Sequence, residues 1–363
     1  MSAGARKPDS MSKLIEDTTQ AAMSEGGPAD LGESWNSALS SVPAARLGEL
    51  ARVVNENRLT LPAYRLLGEG GSPNARSLRN SLEPAVRQLR QAEADRDRQL
   101  KRLVDVLAGK GISYVVFKTF NRTGWVGVDI DVMIGKADYQ TCVDSLLAAG
   151  YYSIDDLSKQ YATGFMSKGN PIIVDLHTQL AVLGVSYFSS DVLLSDVREA
   201  RVDVPGEGCL EFSRLGPRTE AVVRMAHAVI KEGIVTGGEI AEVLPDVGLD
   251  GVSELIGHEN LQLAGSVFGY AADGAMGGNG FDRVVAFNDS ALHGLAKGML
   301  DETLRRRSLP SRIPSNVSVL SLIDRLQAEG ALSISLPTLM RNITFRRNAA
   351  YIGHTLLERL GIS

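Results

Sequence analysis

The most constraining feature of this chain is a strand, turn and strand in the stretch GISYVVFKTFNRTGWVGVDIDVMIG, residues 111–135. In its second strand, Asp129 and Asp131 alternate with three apolar residues, Val128, Ile130 and Val132. Because strand side chains point alternately to the two faces of a sheet, we expect both aspartates on one face and the apolar residues buried on the other. Two carboxylates on one face can hold a divalent cation or act as an acid and base pair.

A second informative strand is predicted in PIIVDLHTQL, residues 171–180. Asp175 and His177 are two positions apart and therefore share a face of that strand. Asp175 follows Asp131 by 44 positions, with a predicted amphipathic helix between them. The order of these elements predicts that the second strand joins the same sheet and brings a third carboxylate to the first two.

The chain of 363 residues predicts four regions and an α+β fold. Residues 1–34 are rich in small and polar residues, which predicts a flexible tail. Residues 35–110 predict helices, including a long one that begins near residue 81. Residues 111–215 predict a mixed β-sheet core that ends in a hairpin, and residues 216–363 predict a helical C-terminal domain.

The composition limits which binding partners and which cellular location we expect for this protein. The net charge of −5 argues against a chain that binds nucleic acid over its whole surface, but residues 290–363 carry 10 basic and 5 acidic side chains. This basic C-terminal segment, which includes the run Arg305, Arg306 and Arg307, could contact RNA or another protein, although a solvated helix face is the simpler interpretation. No run approaches the roughly 18 apolar residues that span a bilayer, so we expect no membrane insertion and a cytoplasmic location. The two cysteines, Cys142 and Cys209, are expected to be buried.

A family resemblance covers residues 87–180. The segments KGISYVVFK, GVDIDVMI, a helix ending in AAGY, and IIVDLH are similar to an uncharacterised nucleotidyltransferase family of the polymerase-beta-like superfamily. Its members have an apolar strand ending in Lys-Gly, an Asp-Ile-Asp-Leu strand, a helix ending in Gly-Tyr and a Val-Asp-Leu-His strand. The chain also resembles, more distantly, the LicD-type phosphocholine transferases. The resemblance implies a nucleotidyltransferase-like core and transfer of a nucleoside monophosphate from an NTP to a hydroxyl of a small molecule, protein or RNA.

The resemblance also implies roles for particular residues. Asp129, Asp131 and Asp175 would be the catalytic and metal-binding carboxylates for Mg²⁺ or Mn²⁺, with Asp175 taking the proton of the acceptor. The nucleotide-binding residues would be those of the turn and of the second strand: Lys118, Thr119, Arg122 and His177. Lys118 and Arg122 would contact the β- and γ-phosphates, and His177 would orient Asp175 or the acceptor. Thr119 stands where family members usually have the glycine that lets backbone amides approach the triphosphate.

Other interpretations of the same residues remain open. Asp129 and Asp131 could be the solvated face of an edge strand, and Asp175 with His177 could be a structural hydrogen-bonded pair. Lys118 and Arg122 could be ordinary surface charges. The whole chain could be a non-catalytic binding or regulatory protein, antitoxin-like or a scaffold, on a degenerate nucleotidyltransferase fold, an alternative that Thr119 favours. A LicD-like transferase that uses the same metals is the third possibility.

Overall fold

The computed structural model describes residues 10–24, 29–68, 72–154, 162–182, 185–204, 206–259, 261–275, 311–312 and 321. The chain divides into two compact units. The first comprises Met1–Arg224 and Thr236–Gly248, and the second comprises Met225–Val235 and Leu249–Ser363. The candidate site residues all belong to the first unit.

The first unit begins with five helices: α1 (Ser10–Met23), α2 (Ala29–Ser40), α3 (Leu47–Glu56), α4 (Thr60–Leu66) and α5 (Pro73–Ala108). Helix α1 and the start of α2 lie within the segment predicted to be a flexible tail. Trp35 is fully buried, and its Nε1 donates a hydrogen bond to Thr18 Oγ1 at 2.9 Å. Thr18 and Thr19 are buried with their hydroxyls bonded to the carbonyls of Leu14 and Ile15. Polar residues therefore form part of the packed face of α1, which hides its helical pattern in the sequence.

Helix α5 spans 36 residues, and it begins eight positions before the predicted start at residue 81. Ser72 is its N-cap and accepts a hydrogen bond from the backbone N–H of Ala75, while Pro73 occupies the first turn. The Ser-Pro pair, which in the sequence predicts a break, is therefore a helix start. The predicted apolar stripe is buried as expected and includes Leu82, Val86, Leu89, Leu100, Leu103, Val104 and Leu107.

Nine strands follow in the first unit: β1 (Tyr114–Phe117), β2 (Asp129–Ile134), β3 (Tyr151–Ser153), β4 (Ala162–Ser167), β5 (Asn170–His177), β6 (Gln179–Val182), β7 (Val185–Ser189), β8 (Val197–Val204) and β9 (Gly208–Leu215). Within the described residues, seven of them form a mixed sheet in the order β3-β4-β5-β2-β1-β9-β8. Strand β2 lies between β1, to which it is antiparallel, and β5, to which it is parallel. The predicted hairpin is β8 with β9. Strands β6 and β7 pair separately.

The two faces of this sheet differ. Ile130 and Val132 of β2 are fully buried in a core that α5 and α6 (Tyr139–Ala148) help to form. Asp131, between them in sequence, points to the opposite face. Val128 lies outside this pattern: it precedes the first residue of β2 and is 70% exposed, so the alternation predicted for residues 128–132 holds only from Asp129 onward.

The first unit also contains helix α7 (Ser190–Leu194), most of α8 (Pro217–Ala226) and the first half of α9 (Gly237–Glu259), which is interrupted at Gly248, where φ is 64°. The second unit contains a π-helical turn (His227–Glu232), strand β10 (Ile234–Val235) paired with β11 (Ser311–Arg312), and helix α10 (Gln262–Ala275). Apart from Ser321, the helices predicted at 291–307, 317–328 and 336–360, and the basic run Arg305–Arg307, lie outside the described residues. None of the helices in the described part of the chain combines the length and apolar character needed to cross a bilayer.

The burial of the two cysteine side chains gives a direct test of this fold. Cys142 on α6 is fully buried, and burial, aided by the charge of Asp138, raises the pKa of its thiol to about 12. Cys209, at the start of β9, is exposed rather than buried as predicted, because it lies beside the hairpin turn.

We expect Ellman's reagent to modify one thiol in the native protein and a second only after unfolding. Cys209→Ser should remove the native reaction and Cys142→Ser should preserve it; rapid reaction of both thiols in native protein would contradict the packing of α6.

Candidate metal centre

The candidate site is built from adjacent positions of two parallel strands. Asp131 of β2 lies in register with Asp175 of β5, and Met133 lies in register with His177. Each of Asp131, Asp175 and His177 offers one ligand atom, and these atoms lie within 4.8 Å of one another. The sheet therefore brings together three of the residues that the sequence singled out, on the face opposite to the core.

His177 bridges the two carboxylates. Its Nε2 lies 3.1 Å from Asp131 Oδ1 and 3.2 Å from Asp175 Oδ2. The ring is buried and meets Phe117 edge-on, with 5.6 Å between ring centroids. Burial alone would lower the pKa of His177, but the hydrogen bonds and negative charges of Asp131 and Asp175 outweigh it and raise the pKa to about 9. In the metal-free chain the ring is therefore an imidazolium shared by both aspartates.

Lys118 supplies the second positive charge. Its Nζ lies 3.1 Å from Asp131 Oδ2, so that the two oxygens of Asp131 contact two different cationic groups. The backbone of Lys118 has a φ of 52°, the left-handed region, which costs a non-glycine residue roughly 1–2 kcal/mol. Its N–H donates to Glu220 Oε1 of α8 at 2.7 Å. This hydrogen bond stabilises the strained backbone of Lys118 and thereby helps to position its amino group beside Asp131.

Thr119 links the turn after β1 to strand β2 through hydrogen bonds. The side chain is buried, and its hydroxyl donates to the carbonyl of Phe117 at 3.0 Å. The same oxygen accepts the backbone N–H of Asp131 at 3.2 Å. A glycine at this position could make neither bond. Thr119 therefore fixes where the backbone of Asp131 lies relative to the end of β1.

The structure places Asp129 and Arg122 differently from the three clustered residues. Asp129 is the first residue of β2, pairs with Ile173 and is half-buried. It shares a face with Asp131 but does not belong to the group within 4.8 Å that was found among the described residues. Arg122 forms an ion pair with Asp246 on the first half of α9.

Two functional neighbours were missed by the sequence analysis, Glu220 and Glu242. Glu220 is buried and accepts hydrogen bonds from Lys118 and from Arg224 Nε, the latter at 2.8 Å. Glu242 accepts the backbone N–H of Thr123 at 3.0 Å, and burial raises the pKa of its carboxyl. Both are distant in sequence from the turn they hold. The only local signal is the spacing of Glu220 and Arg224, one helical turn apart.

The donor atoms of this site suit a hard divalent cation. Carboxylate oxygens are the ligands that Mg²⁺ prefers, and an imidazole nitrogen is also accepted by Mn²⁺ and other transition metals. Asp131 and Asp175 would hold the ion, and His177 would either join them as a neutral ligand or remain a hydrogen-bond donor. The contacts of Asp131 with Lys118 and His177 show that its carboxylate already attracts positive charge.

Comparisons of the chain with protein-family models, with curated proteins and with solved structures found no match. The fold and the site themselves define an α+β protein. Its mixed sheet carries, on the face opposite to the core, two aspartates in register and a histidine that bridges them.

The role of the Thr119 hydroxyl can be measured as a stability difference. Thr119→Val keeps the shape of the side chain but removes both hydrogen bonds, which leaves the buried N–H of Asp131 without that acceptor. We expect the free energy of unfolding to fall by about 1–3 kcal/mol in urea titrations. Thr119→Ser retains the hydroxyl and is the matched control. Equal stability of the valine and serine variants would show that the bond to Asp131 contributes nothing.

The shared imidazolium predicts a pH dependence. The pKa of His177 in the folded chain, about 9, exceeds its ordinary value of 6.5, so the stabilisation is complete below about 6.5 and is lost as pH rises through about 9. In EDTA, the stability advantage of wild type over His177→Gln should therefore shrink across this window. The measurements are chemical denaturation at several pH values and an NMR titration of the ring. A ring that titrates at or below 6.5 would contradict the bridge.

Proposed function

We propose that this chain is a nucleotidyltransferase, with a nucleotidyltransferase-like sheet, that uses Mg²⁺ or Mn²⁺ to transfer a nucleoside monophosphate from an NTP to a hydroxyl acceptor. The observation that carries the proposal is the in-register pair of Asp131 and Asp175 on adjacent parallel strands, with His177 bonded to both. The sequence resemblance supplies the reaction class. The geometry supports it because carboxylates that the resemblance assigns to one site are neighbours.

Each residue has a distinct task in this proposal. Asp131 and Asp175 hold the metal, which supplies charge neutralisation at the α-phosphate and alignment of the acceptor. The side chain of Asp175 is 24% exposed and that of Asp131 only 7%, so Asp175 is the carboxylate that can accept the proton of the incoming hydroxyl. His177 orients Asp175. Asp129, on the same face of β2, would be the third carboxylate that the resemblance assigns to the metal.

Lys118 and a metal ion would compete for Asp131. The Lys118 amino group neutralises Asp131 in the metal-free chain. If Asp131 held a metal, its contact with Lys118 would be weaker, because the carboxylate charge would be satisfied and two cations repel. Lys118 would then be released to the β- and γ-phosphates, where a lysine is a suitable point charge. Arg122 would reach the phosphates only by exchanging its bond to Asp246 for one to the nucleotide.

A second candidate is a non-catalytic binding or regulatory protein on the same fold. One observation favours it: both oxygens of Asp131 are contacted by cationic side chains of the chain itself, Lys118 and His177. Such internal neutralisation can replace a metal permanently. The buried Thr119, bonded to Phe117 and Asp131, would then stabilise a turn that no longer receives phosphates.

The two candidates differ in metal binding and in label transfer. The protein is incubated with each α-³²P-labelled NTP, Mg²⁺ or Mn²⁺, and cell extract as the source of acceptor. We expect Asp131→Asn and Asp175→Asn to reduce transfer at least about 100-fold, because loss of a metal ligand costs more than loss of its outer-shell partner. Mn²⁺ affinity, measured by electron paramagnetic resonance, should fall in parallel. Asp144→Asn, an exposed carboxylate on α6, is the control.

The outcomes separate the candidates. Label transfer by wild type and by Asp144→Asn, with its loss in Asp131→Asn, supports the transferase. Absence of label transfer together with absence of Mn²⁺ binding supports the regulatory protein, in which Lys118 and His177 neutralise Asp131 in place of a metal. Failure of wild type both to transfer label and to bind NTP with metal would overturn the transferase and its metal centre together.

A further inference from the structure

A separate cavity of about 450 Å³ lies at the ends of β1 and β9. Its walls come from α5, from the turn after β1, from β8 and β9, and from α8 and the first half of α9, all within the first unit. The volume falls in the range of small-molecule sites, about 300–1,000 Å³. Five arginines line it: Arg96, Arg122, Arg198, Arg214 and Arg224.

The two arginines that the hairpin contributes to this cavity, Arg198 and Arg214, lie on the core face of the sheet. In the β8–β9 hairpin, Val202 pairs with Leu210 and the next core-facing pair is Ala200 with Phe212. One step further along the same face, Arg198 pairs with Arg214. The parallel neighbour of Arg214 on β1 is Val116, which also belongs to the core. The two arginines therefore continue the face that α5 covers, at the position where the apolar core gives way to the cavity.

Three of the five cavity arginines have partners. Arg224 is paired with Glu220 at 2.8 Å, and Arg122 with Asp246. Arg96 is paired with Asp97 at 2.7 Å, and its guanidinium lies 4.3 Å from the centre of the Phe120 ring. Because these three arginines are already paired with carboxylates, an anionic group of a ligand would bind at the other two arginines of the cavity.

The remaining two arginines lie directly opposite each other in the hairpin, and Glu93 and Glu199 also line the cavity. Within the described part of the chain, the guanidinium groups of Arg198 and Arg214 have no ion pair or side-chain hydrogen bond. Like charges directly opposite on antiparallel strands destabilise a sheet. Two guanidinium groups at the mouth of a cavity, each with several donors, match the oxygens of one phosphate group.

Glu220 adds a hydrogen-bond acceptor to the cavity wall. The residue is 6% exposed, and its Oε1 accepts from Lys118 and Arg224. Its Oε2 is buried and has no hydrogen-bond partner among the described residues. A buried carboxylate oxygen without a partner is costly, and a ligand hydroxyl would remove that cost.

We propose that this cavity is a binding site for a small phosphomonoester that also carries hydroxyl groups. Its phosphate lies between Arg198 and Arg214, and a hydroxyl donates to Glu220 Oε2. The site is distinct from the metal centre, because none of Asp131, Asp175 and His177 lines the cavity. Binding therefore requires no metal and none of the carboxylates of β2 and β5.

The test uses the full chain in EDTA at constant ionic strength, with inorganic phosphate and glycerol phosphate as probes in calorimetric titrations. We expect both to bind, and glycerol phosphate to bind several-fold more tightly because it supplies the hydroxyl. Arg198→Gln/Arg214→Gln should weaken both at least about tenfold. The same change should raise the melting temperature of the ligand-free protein, since it removes a repulsion.

The chain offers matched controls. Arg201→Gln changes an arginine of the same strand that points to the other face and pairs with Glu211, so binding should be unchanged. Because the titrations are made in EDTA, binding there separates this site from the metal centre. No binding of either probe to wild type, or equal loss in Arg201→Gln, would overturn the proposal. Equal affinity of the two probes would overturn the role of Glu220.

Discussion

The physical constraint on which the site depends is the repulsion between Asp131 and Asp175, two carboxylates in register on adjacent strands. Such a pair is stable only with positive charge between or beside it. His177 supplies part of this charge by bonding to both, and Lys118 supplies the rest at the far oxygen of Asp131. The apolar face of the same strands packs under α5 and α6 and keeps the register fixed.

Local alternation made the central strands predictable. Ile130 and Val132 are buried and Asp131 faces the other way, as the sequence indicates for a strand with one buried face. The proximity of Asp175 and His177 to Asp131 followed from the order of the elements. Helix α1 was missed because Thr18 and Thr19 are buried and bond to their own helix, and a pattern of apolar residues cannot reveal such a helix.

The environment of Lys118 could not be predicted, because it depends on contacts between distant segments. Glu220 lies 102 positions away and holds the Lys118 N–H. The left-handed backbone of Lys118 is equally invisible in the sequence, where a glycine would normally mark such a position. Thr119 departs from the family pattern, in which a glycine is usual. In the structure its hydroxyl accepts a hydrogen bond from the backbone N–H of Asp131, which a glycine could not do.

Glu220 belongs to both sites at once. Through Oε1 it fixes Lys118, whose amino group neutralises Asp131, and the residue also lines the arginine-lined cavity, with its Oε2 buried and without a partner among the described residues. A hydrogen bond received by Oε2 draws charge from the carboxylate and so weakens what Oε1 offers to Lys118. The strained backbone of Lys118 depends on that bond. Side-chain alternation separates the two faces of the sheet. The carboxylate of Glu220, beyond the end of β1, therefore couples these two faces electrostatically.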